Sequence, residues 1–159
     1  MFLLGYTANQ IEPFRFRINN GEVDVFDNLE ISCTVLNTDA SFSFCEFGGC
    51  SDFDLFYQQA EQQLDKIKNG YKSLKSSNKK DNKLFYSVLL WLHFTSFSHA
   101  QKQIEHDSIP RIVMGKYKNN HNEIAMPVSV EFNHALVDGL HVGQYFNKLP
   151  LNFNHFFDR

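Results

Sequence analysis

The stretch from residue 123 to residue 149, EIAMPVSVEFNHALVDGLHVGQYFNKL, decides the fold of this chain. Its first part, Glu123 to Asn133, has the apolar and polar residues of a strand. Asp138 then stands where it can cap a terminal helix, and Pro150 is the expected end of that helix. The helical spacing is carried by four residues: Leu140, Tyr145, Phe146 and Leu149. A strand that passes directly into an amphipathic helix predicts a mixed α/β fold, with His134 at the junction.

The sequence before this stretch predicts further strands. Phe14–Ile18 and Glu22–Phe26 alternate apolar with polar residues, and Asn19-Asn20-Gly21 between them tolerates the positive φ of a tight turn. We therefore predict a β-hairpin, and we expect the alternating run Ile31–Leu36 to extend its sheet. The nearly continuous apolar run Leu84–Phe94 predicts a strand that is buried on both faces.

A helix and a loop are predicted between these strands. The helix has Ser51 or Asp52 as its cap and Gly70 at its end. It is indicated by apolar residues three or four apart, namely Phe53, Phe56, Ala60, Leu64 and Ile67. Residues 71–83 are rich in Lys, Ser and Asn and predict a solvated loop without a role in binding, with five lysines: Lys72, Lys75, Lys79, Lys80 and Lys83. Arg111–Tyr117 is a further strand, and the turn-rich residues 118–122 join it to the strand that starts at Glu123.

The composition limits the class of protein. A chain of 159 residues with 17 Phe and a net charge of −3 predicts a single globular domain over residues 1–159. The predicted strands and helices support a mixed α/β fold with a mainly β core and helices packed on one side. The absence of a basic footprint argues against nucleic acid as a partner, and no apolar run approaches a membrane span. We expect a soluble cytoplasmic protein. Cys33, Cys45 and Cys50 are expected to be reduced thiols, one or more of them buried.

His134 is the candidate for chemistry. Its expected position at a strand end would present the ring to a cleft while the sheet holds it rigid, and a neutral imidazole can accept a proton from a substrate hydroxyl. Asp138-Gly139 follows within one turn of chain. The same pattern is also typical of an ordinary strand-to-helix turn with a capping aspartate, and the residues alone leave both interpretations open. Asp and His are spread too widely to suggest a metal site.

Four ordered segments resemble landmarks of the chloramphenicol acetyltransferase family. They are Trp91-Leu92-His93-Phe94-Thr95-Ser96-Phe97, Met114-Gly115-Lys116-Tyr117, Met126-Pro127 and the run from Asn133 to Gly143, which carries the HxxxDG pattern. The hairpin and Cys33-Thr34-Val35 resemble the same family, so the similarity covers about residues 12–149. HxxxDG alone also occurs in other CoA-dependent acyltransferases. The residues around it narrow the resemblance to the chloramphenicol acetyltransferase family.

The resemblance implies a function and the roles of five residues. It implies direct transfer of an acetyl group from acetyl-CoA to chloramphenicol or a similar hydroxylated compound, and hence antibiotic resistance, without a metal. His134 would be the general base, Ser96 would stabilise the oxyanion, and Asp138 would keep the site in shape through an ion pair. Tyr117 and Ser41 fall near positions that line the family's substrate tunnel. The family is trimeric, which implies active sites between subunits.

The sequence also departs from the family pattern. It begins near the close of the family's first long helix, so about the first quarter of the usual chain, with the arginine that pairs with the motif aspartate, is expected to be missing. Two alternatives therefore stay open: an acyltransferase for a different acceptor, and a truncated, non-catalytic family remnant.

Overall fold

The computed structural model describes residues 1–48, 51–73, 81–100, 107–120 and 123–158. Within them the helices are α1 (Phe2–Asn9), α2 (Phe53–Lys68) and α3 (Gly139–Phe157), and a 3₁₀ turn spans Glu12–Arg15. The strands are β1 (Phe16–Asn19), β2 (Glu22–Val25), β3 (Glu30–Leu36), β4 (Phe42–Phe47), β5 (Lys83–Leu89), β6 (Arg111–Gly115), β7 (Lys118–Asn120), β8 (Glu123–Ala125) and β9 (Val128–Glu131).

A mixed sheet of five strands forms the centre of the fold. Its strand order is β4-β3-β5-β6-β9, in which β3, β5 and β6 are parallel and the outer strands β4 and β9 run antiparallel to their neighbours. Two hairpins, β1-β2 and β7-β8, form small sheets of their own. The predicted α/β class with a mainly β core is confirmed.

One face of the central sheet buries the core. Alternate residues of the inner strands point to this face, among them Ile31, Leu84 and Ile112, each with 0% exposure. The three helices contribute side chains to the same apolar cluster, including Phe56 of α2 and Tyr145 of α3. The helices therefore pack on one side of the sheet, as predicted, and we call the opposite side the outer face.

The cysteines lie in this core. Cys33 on β3 and Cys45 on β4 are directly opposite each other, and both are buried free thiols, which confirms the prediction for these two. Burial raises the pKa of the Cys33 thiol to about 12 and also raises the pKa of Cys45. Both are therefore neutral and unreactive at physiological pH. Cys50 lies outside the described residues.

The hairpin and the α2 helix follow the prediction closely. Asn20 and Gly21 have φ values of 51° and 83°, the positive values that a two-residue hairpin turn requires. The side chain of Asp52 accepts a hydrogen bond from the Leu55 backbone and caps α2, while Gly70 beyond its end has a φ of 89°.

The prediction that Ile31–Leu36 extends the hairpin sheet is wrong. β3 belongs to the central sheet, and a buried arginine connects the hairpin to it instead. Arg17 is 1% exposed and donates to the carbonyl oxygens of Asp81 and Lys83, at 2.7 Å each, and to two carbonyls of its own segment. Burial lowers the pKa of Arg17 to about 10, so the guanidinium remains charged and needs these acceptors.

The apolar run Leu84–Phe94 was predicted as one fully buried strand, and its second half differs. β5 ends at Leu89, the Leu92 backbone N–H closes a turn onto the Leu89 carbonyl, and Trp91 is 72% exposed. An apolar run predicts that its side chains are buried, but it does not show whether they are buried in the chain's own core or against another molecule.

Strand and loop limits were also wrong at three other places. The predicted strand Glu123–Asn133 is split into β8 and β9 around Pro127, which has no N–H to donate. The predicted strand Arg111–Tyr117 ends at Gly115, and part of the predicted turn after it is β7. Lys83, assigned to the solvated loop, begins β5 and is 3% exposed, with its Nζ 2.5 Å from Glu46 Oε1. Residues 74–80 of that loop lie outside the described residues.

Pro150 does not end the last helix, because α3 continues to Phe157. A proline inside a helix removes one backbone hydrogen bond, and tertiary contacts beyond it offset the loss. Asn152 donates to the Thr7 hydroxyl at 2.8 Å, and the Phe156 ring lies 4.9 Å from the Phe53 ring.

Candidate active site

His134 lies in a turn just beyond the end of β9. The turn is closed by Asn133, whose carbonyl accepts hydrogen bonds from Leu136 at 3.0 Å and Val137 at 3.1 Å. The Asn133 side chain accepts from the Ala135 backbone at 2.9 Å and donates to the Asp107 carbonyl at 3.0 Å. The His134 side chain is exposed and makes no hydrogen bond with another described residue. The backbone on both sides of the imidazole is thus held, while the ring itself faces solvent.

Asp138 begins α3, as predicted. Its carboxylate accepts hydrogen bonds from the backbone of Leu140 at 2.9 Å and of His141 at 3.4 Å. The His141 ring in turn accepts from the Asp138 backbone N–H at 3.3 Å, which completes a reciprocal capping box. The same ring nitrogen, His141 Nδ1, lies 3.2 Å from the Asp138 carboxylate. Asp138 therefore determines where the helix starts, four residues after His134.

A cleft adjoins the turn that carries His134. It has a volume of about 420 Å³. Its charged and polar lining residues are Asp107, Arg111, Glu131 and Asn133, and its apolar ones are Ile109, Val130 and Phe132. The guanidinium of Arg111 lies 2.5 Å from the Asp107 carboxylate. The hydrogen bond from Asn133 to Asp107 therefore joins the His134 turn to the wall of this cleft.

Ser96 lies on an extended segment, residues 90–100, that crosses the outer face. This segment is attached at its start, where the Lys116 backbone donates to the Leu92 carbonyl at 2.6 Å. It is attached again over β9, where the Ser129 hydroxyl donates to the Phe97 carbonyl at 3.1 Å. Ser96 is exposed between these attachments. In the described part of the chain, no hydrogen bond joins it to His134.

Two borders of the central sheet are formed by the ends of its strands, and we call these borders its edges. Tyr117 and Ser41 lie at the edge where β3, β5 and β6 end. Tyr117 follows β6 and is 57% exposed. Ser41 precedes β4 in the turn from β3, where its hydroxyl donates to Asp39 at 2.6 Å and accepts from Asn37 at 2.8 Å. The hydroxyl of Ser41 is therefore already used to shape a turn, a role that its position in the sequence did not indicate.

The five predicted site residues do not converge within one chain. β9 is antiparallel to β6, with Arg111 opposite Glu131, so His134 lies at the edge where β6 begins. Tyr117 lies at the other edge, and the four steps along β6 separate the two edges by roughly 13 Å. The structure places His134 and Asp138 on one turn, and it places Tyr117 and Ser41 at the opposite edge.

Two residues of this region were missed by reasoning from sequence. Asn133 immediately precedes His134, and an Asn that begins a turn is a known signal for side-chain to backbone bonds. His141 completes the capping box at the third helical position, which usually holds Glu or Gln. Neither had a role predicted for it.

Comparison with known proteins identifies relatives of this chain. Residues 1–150 match the family model described as chloramphenicol acetyltransferase. Chloramphenicol acetyltransferase 3 of Escherichia coli is 28% identical over 150 residues, a match that covers 94% of this chain and 70% of the relative. A chloramphenicol acetyltransferase of Bacillus pumilus is 28% identical over 156 residues, covering 98% and 71%.

Solved structures show the same fold. A chloramphenicol acetyltransferase superimposes with a TM-score of 0.84 at 24% identity, over 95% of this chain and 74% of the other. The dihydrolipoamide acetyltransferase of Azotobacter vinelandii superimposes with a TM-score of 0.68 at 14% identity, over 92% of this chain and 64% of the other.

Proposed function

The chain belongs to the chloramphenicol acetyltransferase family and is an acyltransferase, and from this premise we propose that it acetylates a hydroxyl of chloramphenicol or a similar compound with His134 as the general base. The acetyl donor is acetyl-CoA, which binds as a substrate. The observation that carries the proposal is the His134 side chain, exposed on a turn whose backbone is fixed on both sides.

The reaction proceeds by direct transfer. The neutral imidazole of His134 takes the proton from the acceptor hydroxyl as the hydroxyl oxygen attacks the thioester carbonyl carbon. The tetrahedral intermediate collapses, the carbon–sulfur bond breaks, and the imidazolium returns the proton to the leaving thiolate. The Ser96 hydroxyl donates a hydrogen bond to the oxyanion of the intermediate, and Asp138 keeps the His134 turn in place by capping α3.

The proposed site lies between subunits of a homotrimer. Within one chain His134 lies at one edge of the sheet and Tyr117 and Ser41 at the other, which supports a site completed by a second copy. Three exposed apolar residues at the edge of Tyr117 support the same arrangement, because contacts between subunits bury such residues. They are Leu90, Trp91 and Leu92.

The test is CoA release. Purified protein, acetyl-CoA and chloramphenicol are mixed with a thiol reagent, and the expected result is a rate at least about 10²-fold above that of His134→Ala. His155→Gln, at the far end of α3, is the matched control and should keep the wild-type rate. Equal rates for wild type and His134→Ala would refute the assignment of His134. A screen of hydroxylated and amino acceptors in the same assay separates chloramphenicol from another acceptor.

The location between subunits has its own test. Light scattering should give the mass of a trimer. His134→Ala and Ser96→Ala chains are each strongly impaired alone. If His134 of one subunit acts with Ser96 of another, the two chains should regain part of the wild-type activity when unfolded and refolded together, because some sites then combine an intact His134 with an intact Ser96. A mixed trimer no more active than its two parents would refute a site that combines His134 of one subunit with Ser96 of another.

A further inference from the structure

The outer face of the central sheet carries a second group of reactive side chains. Ser87 lies on β5 and Glu131 on β9, both pointing away from the helices. His99 lies on the segment that crosses this face and reaches down between them. None of these residues belongs to the five of the proposed transferase site.

The three side chains are joined in sequence by hydrogen bonds. His99 Nδ1 lies 2.5 Å from Glu131 Oε2, and the His99 backbone N–H donates to Glu131 Oε1 at 3.1 Å. Because an ionised carboxylate can only accept, a neutral His99 in this position carries its ring proton on Nδ1 and leaves the Nε2 lone pair free. Nε2 lies 3.4 Å from the Ser87 hydroxyl. A hydroxyl, a base and a carboxylate that orients the base form the arrangement that activates a nucleophilic serine, and the serine–base distance is commonly long before substrate binds.

A pocket of about 200 Å³ opens beside Ser87 and His99. Its wall includes the Phe85 ring and the guanidinium of Arg111, which lies 5.6 Å above that ring. The pocket also includes Ser32, which is 1% exposed and whose hydroxyl has no hydrogen-bond partner among the described residues. An unpaired buried hydroxyl destabilises the protein, and a ligand atom in the pocket would supply the missing partner.

We propose that Ser87, His99 and Glu131 form a second catalytic site, which hydrolyses esters of small carboxylic acids. The Ser87 oxygen attacks the ester carbonyl carbon while His99 takes the hydroxyl proton, and the carbon–oxygen bond to the alcohol breaks as His99 returns the proton to the alkoxide. Water then adds to the acyl-serine with His99 again as the base, and the acid leaves as Ser87 regains its proton. The Ser32 hydroxyl donates to the oxyanion formed in each step.

The small pocket fits this chemistry. A volume of about 200 Å³ admits an acyl group of a few carbons beside the Phe85 ring, but not a large acceptor. The site needs neither CoA nor a second copy of the chain. Its failure and the failure of the transferase proposal are therefore separate results.

The experiment is labelling of the wild-type protein with an alkyl fluorophosphonate, which phosphonylates activated serines with loss of fluoride. Mass spectrometry should find the label on Ser87, and His99→Gln and Glu131→Gln should each lower the labelling rate at least tenfold while circular dichroism stays unchanged. Ser98→Ala, an exposed serine next to His99, is the matched control and should label like wild type.

Hydrolysis of p-nitrophenyl acetate without any CoA compound supplies the second measurement. A burst of nitrophenol with the stoichiometry of the protein is expected for wild type and should be lost in Ser87→Ala. Absence of label from wild-type Ser87, or labelling that His99→Gln leaves unchanged, would overturn the proposal.

Discussion

The side chain of Asn133 accepts a hydrogen bond from the backbone N–H of Ala135 at 2.9 Å, across the intervening residue His134. The same side chain donates to the Asp107 carbonyl at 3.0 Å and so ties the turn to the segment before β6. The backbone position of His134 is therefore held by the residue before it.

Replacing Asn133 tests this relationship. Asn133→Ala should lower kcat for acetyl transfer by about tenfold, because a misplaced base loses alignment with the hydroxyl, while the KM for acetyl-CoA changes little. Steady-state kinetics measure both. Asn152→Ala removes an asparagine of α3 that bonds to Thr7 and serves as the control for loss of a side-chain hydrogen bond. Equal losses in the two variants would show a general structural effect.

Ser96→Ala tests the proposed oxyanion donor. Loss of one such donor typically lowers kcat by about 10²-fold, and acetyl-CoA binding measured by calorimetry should be preserved, because the hydrogen bond strengthens only as the oxyanion forms. Ser98→Ala, two residues further along the same exposed segment, should retain the wild-type kcat. A wild-type rate for Ser96→Ala would remove Ser96 from the mechanism.

Asp138 has a structural effect that can be measured without substrate. Asp138→Ala removes the acceptor for the Leu140 and His141 backbone N–H groups and should lower the free energy of unfolding by about 1 kcal/mol. Asp138→Asn should lose much less, because asparagine is an equally good cap. Urea denaturation of the three proteins provides the values, and an Asn variant as unstable as the Ala variant would show that the negative charge matters more than capping.

Gly115 is required by a close approach of three groups. A Cβ there would lie 2.8 Å from the Leu92 carbonyl oxygen, 2.7 Å from Pro127 Cγ and 2.8 Å from the Phe94 ring. Gly115→Ala should therefore destabilise the protein by about 1–3 kcal/mol. Gly143→Ala is the matched control: nothing lies near its Cβ position within α3, so alanine should add up to about 1 kcal/mol of stability. Both are measured by urea denaturation.

The buried phenol of Tyr145 makes stability depend on alkaline pH. Burial raises the pKa of Tyr145 above its usual value of 10.0, so the unfolded chain loses this proton at a lower pH than the folded protein. Its contribution to stability is complete below pH 10 and falls as the pH rises beyond it. Tyr145→Phe should lose about 1 kcal/mol at pH 7, with the hydrogen bond to Leu4, and should show a shallower decline above pH 10. Denaturation in reducing buffer from pH 7 to 11 tests this, and parallel curves would contradict it.

Local signals in the sequence were sufficient where the cause is local. The Asn20-Gly21 turn, the Asp52 cap of α2 and the Asp138 cap of α3 each depend on residues a few positions apart, and all three predictions are confirmed. The roles of His134 and Ser96 come from a resemblance of ordered motifs, and they stay predictions that the kinetic variants test.

The errors occurred where distant contacts decide. Pro150 is tolerated inside α3 because Asn152 and Phe156 beyond it contact α1 and the start of α2. Lys83 is buried because Glu46, distant in sequence, lies beside it on the same face of the sheet. Neither partner could be assigned from a window of neighbouring residues, since the pairing of strands brings them together.

The sequence by itself determined the α/β class, the hairpin, the capped helices and the placement of His134 beside a helix start, because turn, cap and periodicity rules act over a few residues. Only the tertiary structure decided which strands pair, that Arg17 is buried, and that Ser87, His99 and Glu131 meet on the outer face. Strand order in a mixed sheet depends on burying apolar faces and satisfying buried polar groups across the whole chain, which is a property of the folded molecule.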